Sequence, residues 1–170
     1  MEDDFNEAEM FQIQPQQRPS GNPLAKYFRI PGLSIKLPSG GHYLPKGSIE
    51  LTENGEVPVY PMTAGDELLL KSPDALMSGF AIERLLESCI PAIRFPKLIA
   101  MPDLDVLLLA IRAATYGPKM EVETACPKCA HENNFEADLP AMLSTMSSLP
   151  PECGVRLSKD VVVFLRPYNI

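Results

Sequence analysis

Four cysteines and two histidines are the side chains of this 170-residue sequence best suited to metal or thiol chemistry. Their spacing singles out one stretch. Cys126-Pro-Lys-Cys129 places two thiols three residues apart. The flanks alternate like strands, with Met120-Glu-Val-Glu-Thr before the turn and Phe135-Glu-Ala-Asp-Leu139 after it. A strand, a CxxC turn and a returning strand give the geometry of a zinc knuckle. The tight turn aims two thiolates at one point, and neighbouring amides stabilise the sulfurs. The expected cofactor is therefore zinc, with Cys126 and Cys129 as ligands. A closed structural site takes four ligands, so two more are needed. Cys153, after a short helix at 141–148 and just before Val155-Arg-Leu, is the third candidate. His131 stands close to Cys129, a second chain is another source for the remainder, and a vestigial knuckle without metal is the alternative.

The rival chemistry is that of a redox dithiol, since Cys-Pro-x-Cys also occurs in glutaredoxin-like sites. Such a site needs its first cysteine at a helix N-terminus, where the dipole lowers the thiol pKa. Ala130-His-Glu-Asn-Asn followed by alternation offers no helix, so this reading ranks below the metal. It requires a reactive, low-pKa Cys126. Cys89 lies on the apolar face of a predicted helix and reads as an inert buried thiol. His42 falls in a glycine-rich loop and reads as solvated.

Nothing else assembles into a catalytic set. The sequence has no Ser-His-Asp order, no glycine-rich phosphate loop before a helix and no HExxH. The expectation is a protein that is not an enzyme and takes no small-molecule substrate. A net charge of −7 and a lack of tryptophan argue against nucleic-acid binding, because an acidic chain is repelled by phosphates and has few stacking platforms. No run of eighteen apolar residues marks a membrane span, and the acidic start MEDDFNEAEM is unlike a signal peptide. Four cysteines in a reducing, cytoplasm-like space point to metal or burial before disulfides.

The elements that would position the CxxC turn read as an α+β fold: a small antiparallel sheet and hairpins packed with a helical core, plus the knuckle-like β-hairpin. Residues 1–22 are polar and aperiodic, a flexible or partner-ordered arm with Phe5, Met10, Phe11 and Ile13 as anchors. Residues 23–118 form the α+β core domain, 119–139 the CxxC hairpin, and 140–170 a C-terminal helix and strands. Within the core, Leu33-Ser-Ile-Lys-Leu and Ser48-Ile-Glu-Leu read as strands. Glu53-Asn-Gly-Glu reads as a hairpin turn with positive φ at Asn54 and Gly55, and Val57-Pro-Val-Tyr as the strand that pairs back. Thr63 and Asp66 form a capping box, Ser72-Pro73 starts a helix, and Gly79 to Ile90 gives one apolar helical face. Asp103 caps the central helix, which is apolar nearly all round and ends at Gly117-Pro118. Arg112 interrupts that helix and is expected to pair with a carboxylate or emerge at its rim.

Several short motifs occur here in one order: Pro61-Met-Thr-Ala-Gly-Asp-Glu, then Glu87-Ser-Cys-Ile, then Leu108-Leu-Ala-Ile-Arg-Ala-Ala-Thr-Tyr-Gly, then Cys126-Pro-Lys-Cys with Glu132-Asn133. In that order and spacing the chain resembles the hub-associated baseplate protein family of T-even-like contractile-tailed phages, over about Ile30 to Pro167. The resemblance implies a structural component of the tail baseplate, assembled in the host cytoplasm and carried in the virion. The alternative it leaves is an assembly factor for the hub that is not retained there. Outside the family stand a zinc-ribbon adaptor and a thiol oxidoreductase. The implied partners are other baseplate or tail proteins and copies of itself. The resemblance also implies further sequence after Arg166-Pro-Tyr, so that the chain ends early at Ile170.

Overall fold

Alternation at the start of the core produces strand β1 (Leu33–Ile35), which pairs antiparallel with β2 (Val57–Val59) in the register Leu33↔Val59 and Ile35↔Val57. The computed structural model describes residues 29–159 and 161–169, and the expected arm at 1–22 lies outside that range. The strand expected at Ser48–Leu51 does not form. Ile49 instead makes an isolated bridge to Ile93, with Glu50 N–H donating to Ala92 at 2.9 Å and Arg94 N–H to Ser48 at 2.8 Å. The expected Asn-Gly turn reverses the chain with only Gly55 at positive φ (73°), and Gly55 N–H donates to Thr52. With its expected partner engaged elsewhere, β2 pairs with β1.

Helix α1 (Ala64–Leu70) starts where the capping box places it. Thr63 N–H donates to Asp66 Oδ2 at 2.7 Å, and Asp66 N–H donates back to Thr63 Oγ1 at 3.3 Å. Helix α2 (Pro73–Met77) begins with Pro73 at its first position, but Ser72 makes no side-chain cap bond. Helix α3 (Phe80–Cys89) buries Ala81, Leu85, Leu86 and Cys89. A short 3-10 turn at Pro96–Leu98 leads into α4 (Met101–Tyr116), which ends on Gly117 at φ 98°. Ala100 is the N-cap of α4, so Asp103 sits inside the first turn and does not cap it. Its carboxylate is taken by Ser39, which offers both a backbone N–H and a hydroxyl.

After α4 come strand β3 (Lys119–Ala125), strand β4 (Glu132–Asp138), helix α5 (Leu139–Ser144), strand β5 (Cys153–Arg156) and strand β6 (Val162–Leu165). β3 pairs with β4 and β5 with β6, both antiparallel, so the described residues hold three separate two-stranded sheets. The core lies where α3 and α4 meet the β1–β2 pair. Ile35, Val57, Val59, Leu86, Ile90, Leu107 and Ile111 are all about fully buried there. Each such aliphatic side chain contributes roughly 1.5–3 kcal/mol on burial, so this cluster dominates stability. The class is α+β with a helical core and small antiparallel sheets.

Candidate functional site

Seven ladder positions, from Lys119↔Asp138 to Ala125↔Glu132, bring the CxxC turn to the tip of the β3–β4 hairpin. Backbone bonds close that tip. Cys126 N–H donates to His131 O at 2.9 Å, and Ala130 N–H donates to Cys126 O at 2.8 Å. Ala130 takes up the reversal at φ 55°, the left-handed region that a residue with a Cβ seldom adopts. The Lys128 N–H foremost, then the Cys129 N–H and thiol, hold the Cys126 thiol below its ordinary pKa. Turn amides thus supply part of what a helix N-terminus supplies in a dithiol site. The chain continues into β4 and not a helix, as the sequence indicates.

The expectation of bound zinc is overturned. Among the described residues, no three His, Cys, Asp or Glu side chains form a group that could hold a metal ion. Cys126 and Cys129 share the tip, but Cys153 opens β5 in a different sheet. His131 serves the turn through its carbonyl. A structural zinc site needs four converging ligands, and this turn is held by its backbone without them. The β3–β4 hairpin is accordingly not a zinc knuckle. All four cysteines are free thiols, with Cys89 buried at 0% exposure and Cys129 and Cys153 exposed. Burial pushes the Cys89 thiol up in pKa, which suits an inert core residue. His42 is exposed in its loop. Arg112 has no carboxylate partner among the described residues and lies over the Tyr116 ring at 4.4 Å.

A different feature gathers exposed apolar surface. Every residue of β5 and β6 is exposed, including Phe164 at 66%, and Leu157 and Tyr168 beside them stand at 68% and 73%. An isolated two-stranded hairpin is at best marginal in water. This one is pinned to the body at both ends. On one side Leu149 N–H donates to Pro38 at 2.7 Å, and the Tyr43 hydroxyl donates to Pro150. On the other, Met101 N–H donates to Tyr168 at 3.0 Å and Ala100 bridges Asn169. Exposed apolar side chains gathered on one hairpin are suited to contact with another molecule. The sequence signal was the unbroken run Val161-Val-Val-Phe-Leu. Five consecutive apolar residues put apolar groups on both faces of a strand, so at least one face needs cover.

The β3–β4 hairpin adds a second exposed surface. A shallow cleft of about 300 Å³ on it is lined by Glu121, Val122, Glu123, Asn134, Phe135 and Glu136. No helix among the described residues is long and apolar enough to cross a membrane. Taken together, a helical core that displays one apolar and one acidic hairpin defines an α+β module with surfaces suited to protein partners. Over residues 31–168 the sequence matches the family described as the T4 bacteriophage base plate protein, and the chain belongs to that family. No curated protein and no solved structure matches it.

Proposed function

We propose that this chain is a structural component of a contractile phage tail baseplate, in the hub region, acting through protein–protein contacts with other tail proteins and with copies of itself. The observation that carries the reading is family membership across residues 31–168. The exposed hairpins support it, because subunits of permanent assemblies bury apolar surface against partners much as a core does. In this role the chain takes no substrate and performs no catalysis.

The test is quantitative mass spectrometry of purified tails. The chain is expected in them at a fixed ratio to the other baseplate proteins. If it is required for tail formation yet missing from finished tails, the structural reading fails and an assembly factor takes its place.

A further inference from the structure

The two exposed hairpins follow the same two-sided plan and carry opposite charge. In β3–β4 the register pairs Met120↔Ala137 and Val122↔Phe135 on one face, with Glu121↔Glu136 and Glu123↔Asn134 on the other. Successive strand residues point to opposite faces, so one face is apolar and the other acidic. Across residues 119–138 five carboxylates stand against two lysines. Glu121 directly opposite Glu136 weakens the ladder, since like charges there repel. Lys119, 2.5 Å from Glu136, is the cation that offsets them among the described residues.

In β5–β6, Cys153↔Leu165 and Val155↔Val163 make an apolar face, while Gly154↔Phe164 and Arg156↔Val162 make the other, charged by Arg156. Residues 153–168 hold Arg156, Lys159 and Arg166 against the single acid Asp160. No ion pair joins these cations to a carboxylate among the described residues. Each hairpin is a sheet of its own and leaves its edges without a strand partner there, and the two do not pair within the chain. Unpaired edges are templates for another strand.

We propose that β5–β6 of one copy adds edge to edge to β3–β4 of a second copy, forming a four-stranded sheet between subunits. The inference rests on the reading of the chain as an assembly component. In this sheet Val122 and Phe135 continue into Val155, Val163 and Leu165 on one face. Glu121, Glu123 and Glu136 meet Arg156 on the other. Main-chain bonds supply affinity and the alternating side chains supply register, as in β-strand addition generally. Like-with-like pairing of two β5–β6 hairpins would instead bring together two stretches that each carry Arg156, Lys159 and Arg166. The contact is therefore head to tail, with every copy offering both halves, and it closes into a ring or extends as a chain.

Sedimentation velocity of the full chain over a concentration series tests this at low and high salt. Association is expected to grow with concentration and to weaken with salt, which screens exposed charges. Two double reversals, Arg156→Glu with Arg166→Glu and Glu121→Lys with Glu123→Lys, are each expected to weaken self-association about tenfold or more. Mixing the two variants is expected to restore association, because every joint between one variant and the other again sets opposite charges together while each variant alone sets like charges together. Circular dichroism checks the fold. If a reversal lowers the thermal melt, Arg156→Gln and Glu121→Gln replace it. A wild-type chain that stays monomeric at low salt overturns the proposal. So does association that neither reversal weakens, or a mixture that restores nothing. A chain incorporated into tails at fixed ratio but monomeric alone loses this contact and keeps its structural role. One that self-associates as described but is absent from tails does the reverse.

Discussion

Asp103 is a carboxylate at 0% exposure, held in the first turn of α4, where the helix N-terminus favours negative charge. Its Oδ1 accepts the Ser39 N–H at 2.9 Å and its Oδ2 accepts the Ser39 hydroxyl, so the loop after β1 is tied to the central helix. Burial pushes its pKa above the ordinary value of 3.8, and the two bonds from Ser39 offset only part of that. The folded protein thus keeps this proton to higher pH than the unfolded chain. Stability contributed by the group is present below 3.8 and is lost as pH rises through the raised folded value. Asp103→Asn retains shape and hydrogen-bonding capacity without the titration. Urea midpoints of both proteins, from about pH 4 to about pH 7, are expected to shift in favour of the variant as pH rises. A difference that stays constant with pH contradicts the assignment. Asp103→Ala is expected to cost about 1–3 kcal/mol, because the buried donors of Ser39 lose their acceptor. The sequence placed Asp103 at the helix start but not its partner, which lies 64 residues away.

The same division runs through the elements. Signals whose partners lie within one turn were legible: the Thr63–Asp66 box, the Gly117 stop and the apolar face that buries Leu85, Leu86 and Cys89. Signals that depend on remote pairing were not. Ser48–Leu51 has strand character, yet its bonds go to residues 92–94, and β2 finds β1 more than twenty residues upstream. Two cysteines in a turn suggested a metal because spacing does not reveal whether the tertiary structure brings further ligands to them, and among the described residues it brings none. The β1–α4 contact is another remote feature, and it turns on Gly32. A Cβ there would sit 2.9 Å from the Cβ of Ala114 and 3.1 Å from its Cα, where backbone must move to make room. Gly32→Ala is expected to destabilise by about 1–3 kcal/mol through overpacking. Gly65→Ala in α1 meets nothing closer than Thr63 Oγ1 at 3.6 Å and is expected to gain up to about 1 kcal/mol from helix propensity. Chemical denaturation of both variants checks the contrast. Equal effects would remove the close approach from the account.

At the scale of the whole molecule, the buried core and the displayed hairpins separate along the chain. The buried aliphatics belong chiefly to β1, β2, α3 and α4, whereas β3, β4, β5 and β6 contribute none. Opening free energies follow such burial, so native-state hydrogen exchange is expected to be slowest in α3 and α4. Among hydrogen-bonded amides it is expected to be fastest in β5–β6, although that hairpin is anchored at Leu149 and Tyr168. The cost of displaying it falls on local order and leaves the core intact. That arrangement suits a subunit that folds first and completes its sheets on contact. Exchange measured at concentrations that drive association carries the distinguishing result. Protection is expected to rise in both β3–β4 and β5–β6, because head-to-tail joining uses one hairpin from each copy, while α4 keeps its monomer rates. Protection gained by β5–β6 alone would indicate like-with-like pairing. Slowing spread evenly through α3 and α4 would indicate global stabilisation through some other face.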